Sequence, residues 1–199
     1  MPNIERITFR DWSIEAGALG DGAHDATVSF SVRVSNAPVN AARDFHRQFG
    51  YKIDVWGDPR ANNTGIPTDA ELEHIFSFKR LSIRPNCRFN GGRIQCTYER
   101  GETDIWPFAN NGTFVGSDLT AGALEFSVGP ISASILAAQL DVAEGRELRL
   151  PRMFGGGTIM LPAEDRIYAI VSIVEYGTGR VVRTARSRVD RNVYENIPA

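Results

Sequence analysis

From Thr27 to Ser35 the chain reads Thr-Val-Ser-Phe-Ser-Val-Arg-Val-Ser, apolar at every even position and polar at every odd one. Only an extended chain sorts such a pattern into one buried face and one wet face, because successive side chains of a strand point to opposite sides. The segment predicts a half-buried strand of an antiparallel sheet. A second run, Arg166 to Glu175, is apolar almost throughout. A strand that is apolar on both sides sits in the middle of a sheet with cover on each face.

Other stretches fill in the same picture. Ile4 to Ile14 predicts a first strand, and Tyr51 to Trp56 another, with Tyr51, Ile53 and Val55 on one side and Trp56 on the other. Asn40 to Phe49 predicts a short helix with Asn40 as N-cap and Gly50 as its stop, although an irregular strand fits the same residues. Thr68 and Glu71 have the spacing of a capping box, which predicts one helical turn through His74. Ser132 to Ala143 predicts a second helix from the spacing of Ile135, Leu136, Gln139 and Leu140. Short strands are expected on either side of Gly155-Gly156-Gly157, and Gly177-Thr178-Gly179 turns the apolar run back into Arg180 to Arg188. About eight to ten strands with one to three short helices predict an all-β, antiparallel β-sandwich. Residues 101–120 hold the one stretch that could divide the chain. Neither half carries a full strand set of its own, so 1–199 reads as a single domain.

Phe89-Asn90-Gly91-Gly92-Arg93-Ile94 is a hairpin turn signal, since Asn-Gly and Gly-Gly both accept positive φ. Register follows from asking which pairing gathers the apolar residues. Phe89 opposite Ile94 sets Cys87 opposite Cys96 and Pro85 opposite Tyr98, and a slip of one residue would mix apolar with polar. Cys87 and Cys96 read as small reduced core residues, as suits a chain whose N-terminus lacks the apolar core of a signal peptide and which is expected to be made in the cytoplasm. A cross-strand disulfide is the alternative, worth about 2 to 3 kcal/mol for a loop of this length.

Chemistry is much harder to find. His24, His46 and His74 stand in no metal-binding or catalytic pattern, and two cysteines cannot fill a zinc shell. Asp21 and Asp25 around His24 read as a polar turn rather than a cation loop. There is no nucleophile elbow, P-loop or dinucleotide fingerprint. Asp54, Asp104 and Glu175 lie near aromatic residues, but no pair of carboxylates can be selected for glycoside hydrolysis. No catalytic residue, cofactor or metal is assigned, and the chain is read as a non-enzyme. Asn62-Asn63-Thr64 and Asn111-Gly112-Thr113 match the glycosylation pattern, which matters only in a eukaryotic secretory pathway.

Two surface features remain. Trp56, Trp106 and Phe108 flank polar loops rich in Asn and Gly, so they could stack on sugars, or equally plug the ends of a sandwich. Arg183, Arg186, Arg188 and Arg191 crowd the C-terminal strand of a chain with twenty arginines and two lysines. The excess reads as codon bias in a GC-rich genome or as guanidinium forks kept for fixed polar contacts, as at subunit interfaces, and the two readings are compatible. A net charge of -2 and the lack of interleaved aromatics speak against nucleic acid, and no stretch is long enough for a membrane helix. The tail from Asn192 to Ala199 is expected to be an arm that could lie on another subunit. The resulting expectation is a non-catalytic structural subunit of a homo-oligomer or larger assembly, such as a bacterial or phage particle, acting through protein–protein contacts. A carbohydrate-binding module of lectin type is the alternative.

Overall fold

The computed structural model describes residues 3–17, 22–35, 41–60, 65–109, 112–115, 122–143, 146–150, 156–161 and 163–194. In order these form β1 (Asn3–Ala16), β2 (Ala23–Ser35), α1 (Ala41–Gln48), β3 (Phe49–Gly57), a 3-10 turn (Asp69–Glu71), β4 (Glu73–Ser77), β5 (Arg80–Asn90), β6 (Arg93–Thr103) and β7 (Trp106–Pro107). There follow β8 (Thr113–Val115), β9 (Ala123–Leu136), α2 (Ala137–Leu140), β10 (Arg146–Leu150), β11 (Gly157–Leu161), β12 (Asp165–Glu175), β13 (Val181–Arg186) and β14 (Asp190–Asn192). Asn40, Asp21, Asn62, Asn111, Gly155 and the tail beyond Tyr194 lie outside the described residues.

Two antiparallel sheets face each other. The first has the order β1-β2-β9-β8, and the second runs β13-β12-β3-β4, with β14 added on β12 and β7 on β3. These four- and six-stranded sheets reach the upper end of the expected strand count. Among the described residues two further ribbons, β5-β6 and β10-β11, pair only within themselves.

The alternating segment of β2 buries Ala26, Val28, Phe30, Val32 and Val34 without remainder. Opposite them stand Tyr51, Ile53 and Val55 of β3 and Ile167, Ala169, Val171 and Ile173 of β12, all in one core. The other face of β12 is covered as well: Tyr168 and Ile170 pack with Leu72 of the 3-10 connection and with Trp56 and Val189. That second layer is why β12 can be apolar on both sides. Phe45 of α1 closes one end of the core against Phe49, Phe108 and Phe126, with ring centroids 4.9–5.1 Å apart.

The structure corrects three local expectations. His74 belongs to β4, not to a helical turn, although the capping box is real: Glu71 Oε2 accepts from the Thr68 amide at 2.7 Å and from its hydroxyl at 2.8 Å. The predicted helix over 132–143 is strand as far as Leu136, and only Ala137–Leu140 is helical. Ile131, Ala133 and Ile135 turn inward while Ser132, Ser134 and Leu136 stay exposed, a period of two that pairing with β2 enforces. Third, Cys87 and Cys96 are not reduced core residues. They form a disulfide, with Sγ–Sγ 2.06 Å, on a ribbon that stands outside the core.

Candidate functional site

The β5-β6 ribbon is the most unusual part of the molecule. Each strand has eleven residues, about 35 Å at the usual rise, and among the described residues the strands pair only with each other. Asn90 pairs with Arg93 across Gly91 and Gly92, whose φ angles of +58° and +80° are those a two-residue turn of the primed type demands. The register is the one the sequence predicts, with Phe89 opposite Ile94, Cys87 opposite Cys96 and Pro85 opposite Tyr98.

That register divides the ribbon into two unlike faces. One carries Ser82, Arg84, Asn86, Arg88, Gln95, Thr97 and Glu99, with Asn86 Nδ2 donating to Glu99 Oε1 at 3.2 Å. The other carries Leu81, Ile83, Pro85, Phe89, Ile94, Tyr98 and the disulfide, interrupted toward the base by Arg100 and Glu102. On an ordinary sheet this apolar face would be turned to a core. Here it faces solvent: Leu81 is 75% exposed, Ile83 64%, Phe89 77%, Ile94 73% and Tyr98 70%. Large apolar residues scattered singly need no explanation, but a contiguous row of them marks a contact surface.

The ribbon is anchored at its base. Arg80 Nε donates to the Ile105 carbonyl at 3.0 Å, Lys79 pairs with Glu102 at 3.5 Å, and Lys52 of β3 pairs with Asp104. Beyond the base the disulfide replaces the missing core. Isolated two-stranded hairpins are marginal in water, and a crosslink between facing residues removes many of the unfolded alternatives. Cys87→Ser with Cys96→Ser is therefore expected to abolish amide-exchange protection between Arg84 and Thr97. The melting temperature of the sandwich should move by no more than about 2 °C, because the ribbon contributes nothing to the core. Loss of the whole fold would contradict this.

The other residues singled out from sequence are dispersed. Phe108 is buried among Phe45, Tyr51 and Phe126, and Trp106 lies half-buried on Tyr51 with its Nε1 donating to the Phe78 carbonyl at 3.2 Å. Trp56 packs on the opposite side of the second sheet, against His74 and the Tyr168 cluster. The three rings share no surface. Burial also pushes the Tyr51 hydroxyl up to about 12, so it stays neutral across the ordinary pH range.

The arginines do not form a row either, because β13 ends at Arg186. Arg183 donates to the Glu5 carbonyl at 3.1 Å and ties the two sheets together. Arg186 donates to the Pro67 carbonyl at 2.7 Å and to Asp69 at 3.1 Å, with its guanidinium over the Tyr168 ring. Arg191 pairs with Glu164 at 3.5 Å, and Arg188 borders a shallow groove with Phe9, Arg10, Asp11 and Trp12.

Among the carboxylates, Asp104 is taken by Lys52 and Glu175 by Thr178 and Arg180. Asp54, Ser77 and His74 form a short chain on adjacent strands. Ser77 Oγ donates to Asp54 Oδ1 at 2.6 Å and lies 2.9 Å from His74 Nε2. With its proton given to Asp54, the hydroxyl can only accept from the imidazole. That is the reverse of what nucleophile activation requires. His24 lies on β2, edge-on to Tyr194 at 5.1 Å, and among the described residues no group of three His, Cys, Asp or Glu is placed to hold a metal ion.

Two carboxylates that sequence reading passed over do structural work. Asp58 is buried and receives Arg60 through Nε at 2.8 Å and Nη2 at 3.1 Å, with Arg166 at 3.4 Å. Asp165, also buried, accepts three backbone amides.

No family model matches the chain, and no curated protein matches it. Among solved structures it aligns with the Clostridium perfringens NetB toxin in the membrane inserted form, at 12% identity over 94% of this chain and 93% of that one. The TM-score is 0.14, too low for the likeness to carry an argument about fold or function.

Proposed function

We propose that this chain is a non-catalytic assembly subunit that works through protein–protein contacts made by its hairpin arm. One observation carries the reading: a disulfide-closed ribbon leaves the sandwich with its entire apolar face in water. Burying that face is the favourable step such a surface offers, and a neighbouring protein is the natural means of burying it. The sandwich supplies a rigid base, and the crosslink holds the arm in one shape, so little conformational freedom is lost on docking. A structural disulfide persists in oxidising surroundings, which suits a subunit whose final place is a particle or other assembly outside a reducing compartment.

The four arginines support this reading less than their number suggests, since three of them serve the subunit's own fold. The test is the mass in solution, by size-exclusion chromatography with light scattering over a wide range of protein concentration. Species above the 21.9 kDa of one chain, growing with concentration, are expected. A 21.9 kDa monomer at every concentration counts against assembly through self-contacts.

A further inference from the structure

We propose that the apolar face of the arm docks on the same face of a second copy of this chain, turned over about a two-fold axis near the Pro85–Tyr98 rung. The inference rests on the assembly reading above and names its partner. Three observations lead to it.

The first is self-complementarity. Along the arm the apolar face presents Leu81, Ile83 opposite Arg100, Pro85 opposite Tyr98, the disulfide, and Phe89 opposite Ile94. Its large apolar groups thus lie on both sides of the Pro85–Tyr98 rung. Turning the arm over about that rung sets the tip residue Phe89 on the partner's base residue Leu81, and the Cys87 end of the disulfide on the partner's Ile83. Such an isologous contact closes on itself as a dimer.

The second is area. At the exposures above, the five large side chains present on the order of 500 Å² of apolar surface. One arm covering another removes about 1,000 Å² in total, which is the amount a specific interface must clear. A small protrusion could not reach it, and a ribbon of eleven residues per strand does.

The third is charge. Arg100 and Glu102 are the charged residues on this face, both on β6 and toward the base. In the antiparallel arrangement the two copies' Glu102 side chains stand at opposite ends of the pair, while Arg93, paired with Asn90, stays on the outer polar face. A parallel arrangement instead gathers both Glu102 side chains on one rung and both Arg100 side chains on the next. The antiparallel one also sends the two sandwich bodies to opposite ends of the paired arms. The polar face, with Arg84 opposite Glu99 and Arg88 opposite Gln95, stays in water on the outside of the pair.

A lipid surface fits less well. Among the described residues nothing pairs with the outer backbone edges of the ribbon, and the bilayer interior offers no partners for their amides and carbonyls. Arg100 and Glu102 would also have to enter with the apolar side chains.

The experiment compares the full-length chain with Phe89→Ser/Ile94→Ser, both on exposed positions that touch no core residue and so leave the fold intact. Light scattering should give a dimer for the parent. The variant should dissociate with a constant raised about 100-fold or more, since two interface anchors are removed from each of two arms. Circular dichroism and the melting temperature of the sandwich should be unchanged. Replacing Tyr98 by the photo-crosslinker p-benzoylphenylalanine should link two copies through peptides spanning residues 83–87 or 96–100. If the parent self-associates and the double variant associates equally well, assembly stands and this face is not its contact. Should the crosslinks fall elsewhere in the partner, the two-fold arrangement is wrong. If the parent is monomeric and floats with vesicles of phosphatidylcholine and phosphatidylglycerol, the face is a lipid-binding one and the proposal fails. A monomer that ignores vesicles overturns both this inference and the reading it rests on.

Discussion

Asp58→Asn is expected to lower the stability of the folded chain by about 3 kcal/mol or more, a fall of about 10 °C in melting temperature for a domain of this size. The Asp58 side chain has no exposure to solvent and that of Arg166 very little; Asp58 is satisfied by Arg60 and Arg166, and Arg166 in turn by the Asp58 carboxylate. Removing one member of a buried ionic group costs more than the group itself contributes, because the partner's charge stays behind unpaired. Among the described residues Arg166 is then left with the Gly65 carbonyl at 3.4 Å. Arg60 loses its two-pronged grip and retains Glu71 at 2.9 Å, which in turn holds the Thr68 cap. The connection from β3 to β4 is thus tied down by one carboxylate.

The same group sets a pH dependence. Burial acts to raise the Asp58 pKa, but hydrogen bonds and charge from Arg60, with Arg166 behind, outweigh it and hold the carboxyl below its ordinary value. A carboxylate depressed on folding contributes its full stability above the unfolded pKa, near about 4, and loses it as pH falls through the folded value. The parent should therefore lose stability below about pH 4, and Asp58→Asn should lose less over that interval. Urea midpoints at pH 7, 4 and 3 measure both effects. Equal acid sensitivity in parent and variant would show that Asp58 is not the group responsible.

Much of this fold was legible because its signals are local and periodic. Alternation over 27–35 placed β2, the apolar run over 166–175 placed a central strand, and the turn residues at 90–93 fixed the hairpin register to the rung. Where local signals competed, the sheet won. Ile135, Leu136, Gln139 and Leu140 have helical spacing, but Ile131 to Leu136 also alternates, and pairing with β2 satisfies the backbone as far as Leu136. What alternation cannot reveal is what covers the apolar face. The hairpin reads like any half-buried pair of strands, so Cys87 and Cys96 read as core residues. Nothing in 80–103 marks it as a ribbon that leaves the body. Long-range partners are hidden in the same way. Trp106 and Phe108 flank a polar loop in sequence, yet Tyr51, Phe45 and Phe126 come from three other elements to enclose them. The arginines of the last strands spend their donors on Glu5, Pro67 and Asp69, between about 115 and 180 residues away.

Asp165→Ala is expected to be as damaging as the loss of Asp58, by another route. Asp165 opens β12, and its Oδ1 accepts from the amides of Val142 and Ala143, both at 2.9 Å, while Oδ2 accepts from the Tyr194 amide at 3.1 Å. It therefore secures the exit from α2 and the C-terminal segment at one point. Alanine leaves three backbone donors without their acceptor in a site from which water is largely excluded. At about 1 to 3 kcal/mol for each donor left unsatisfied, the cost is about 3 kcal/mol or more. Asparagine separates the two halves of the effect. Its oxygen can replace Oδ1 and keep Val142 and Ala143, but its amide then points a donor at the donor of Tyr194. The Tyr194 ring, buried against His24 and with its hydroxyl on Asp190, would be left to hold the segment alone. Asp165→Asn should thus lose roughly a third of the stability lost by alanine, with faster amide exchange confined to the end of β14 and Tyr194. A variant in which Val142 and Ala143 exchange as fast as Tyr194 would show that the three bonds form one unit, not two.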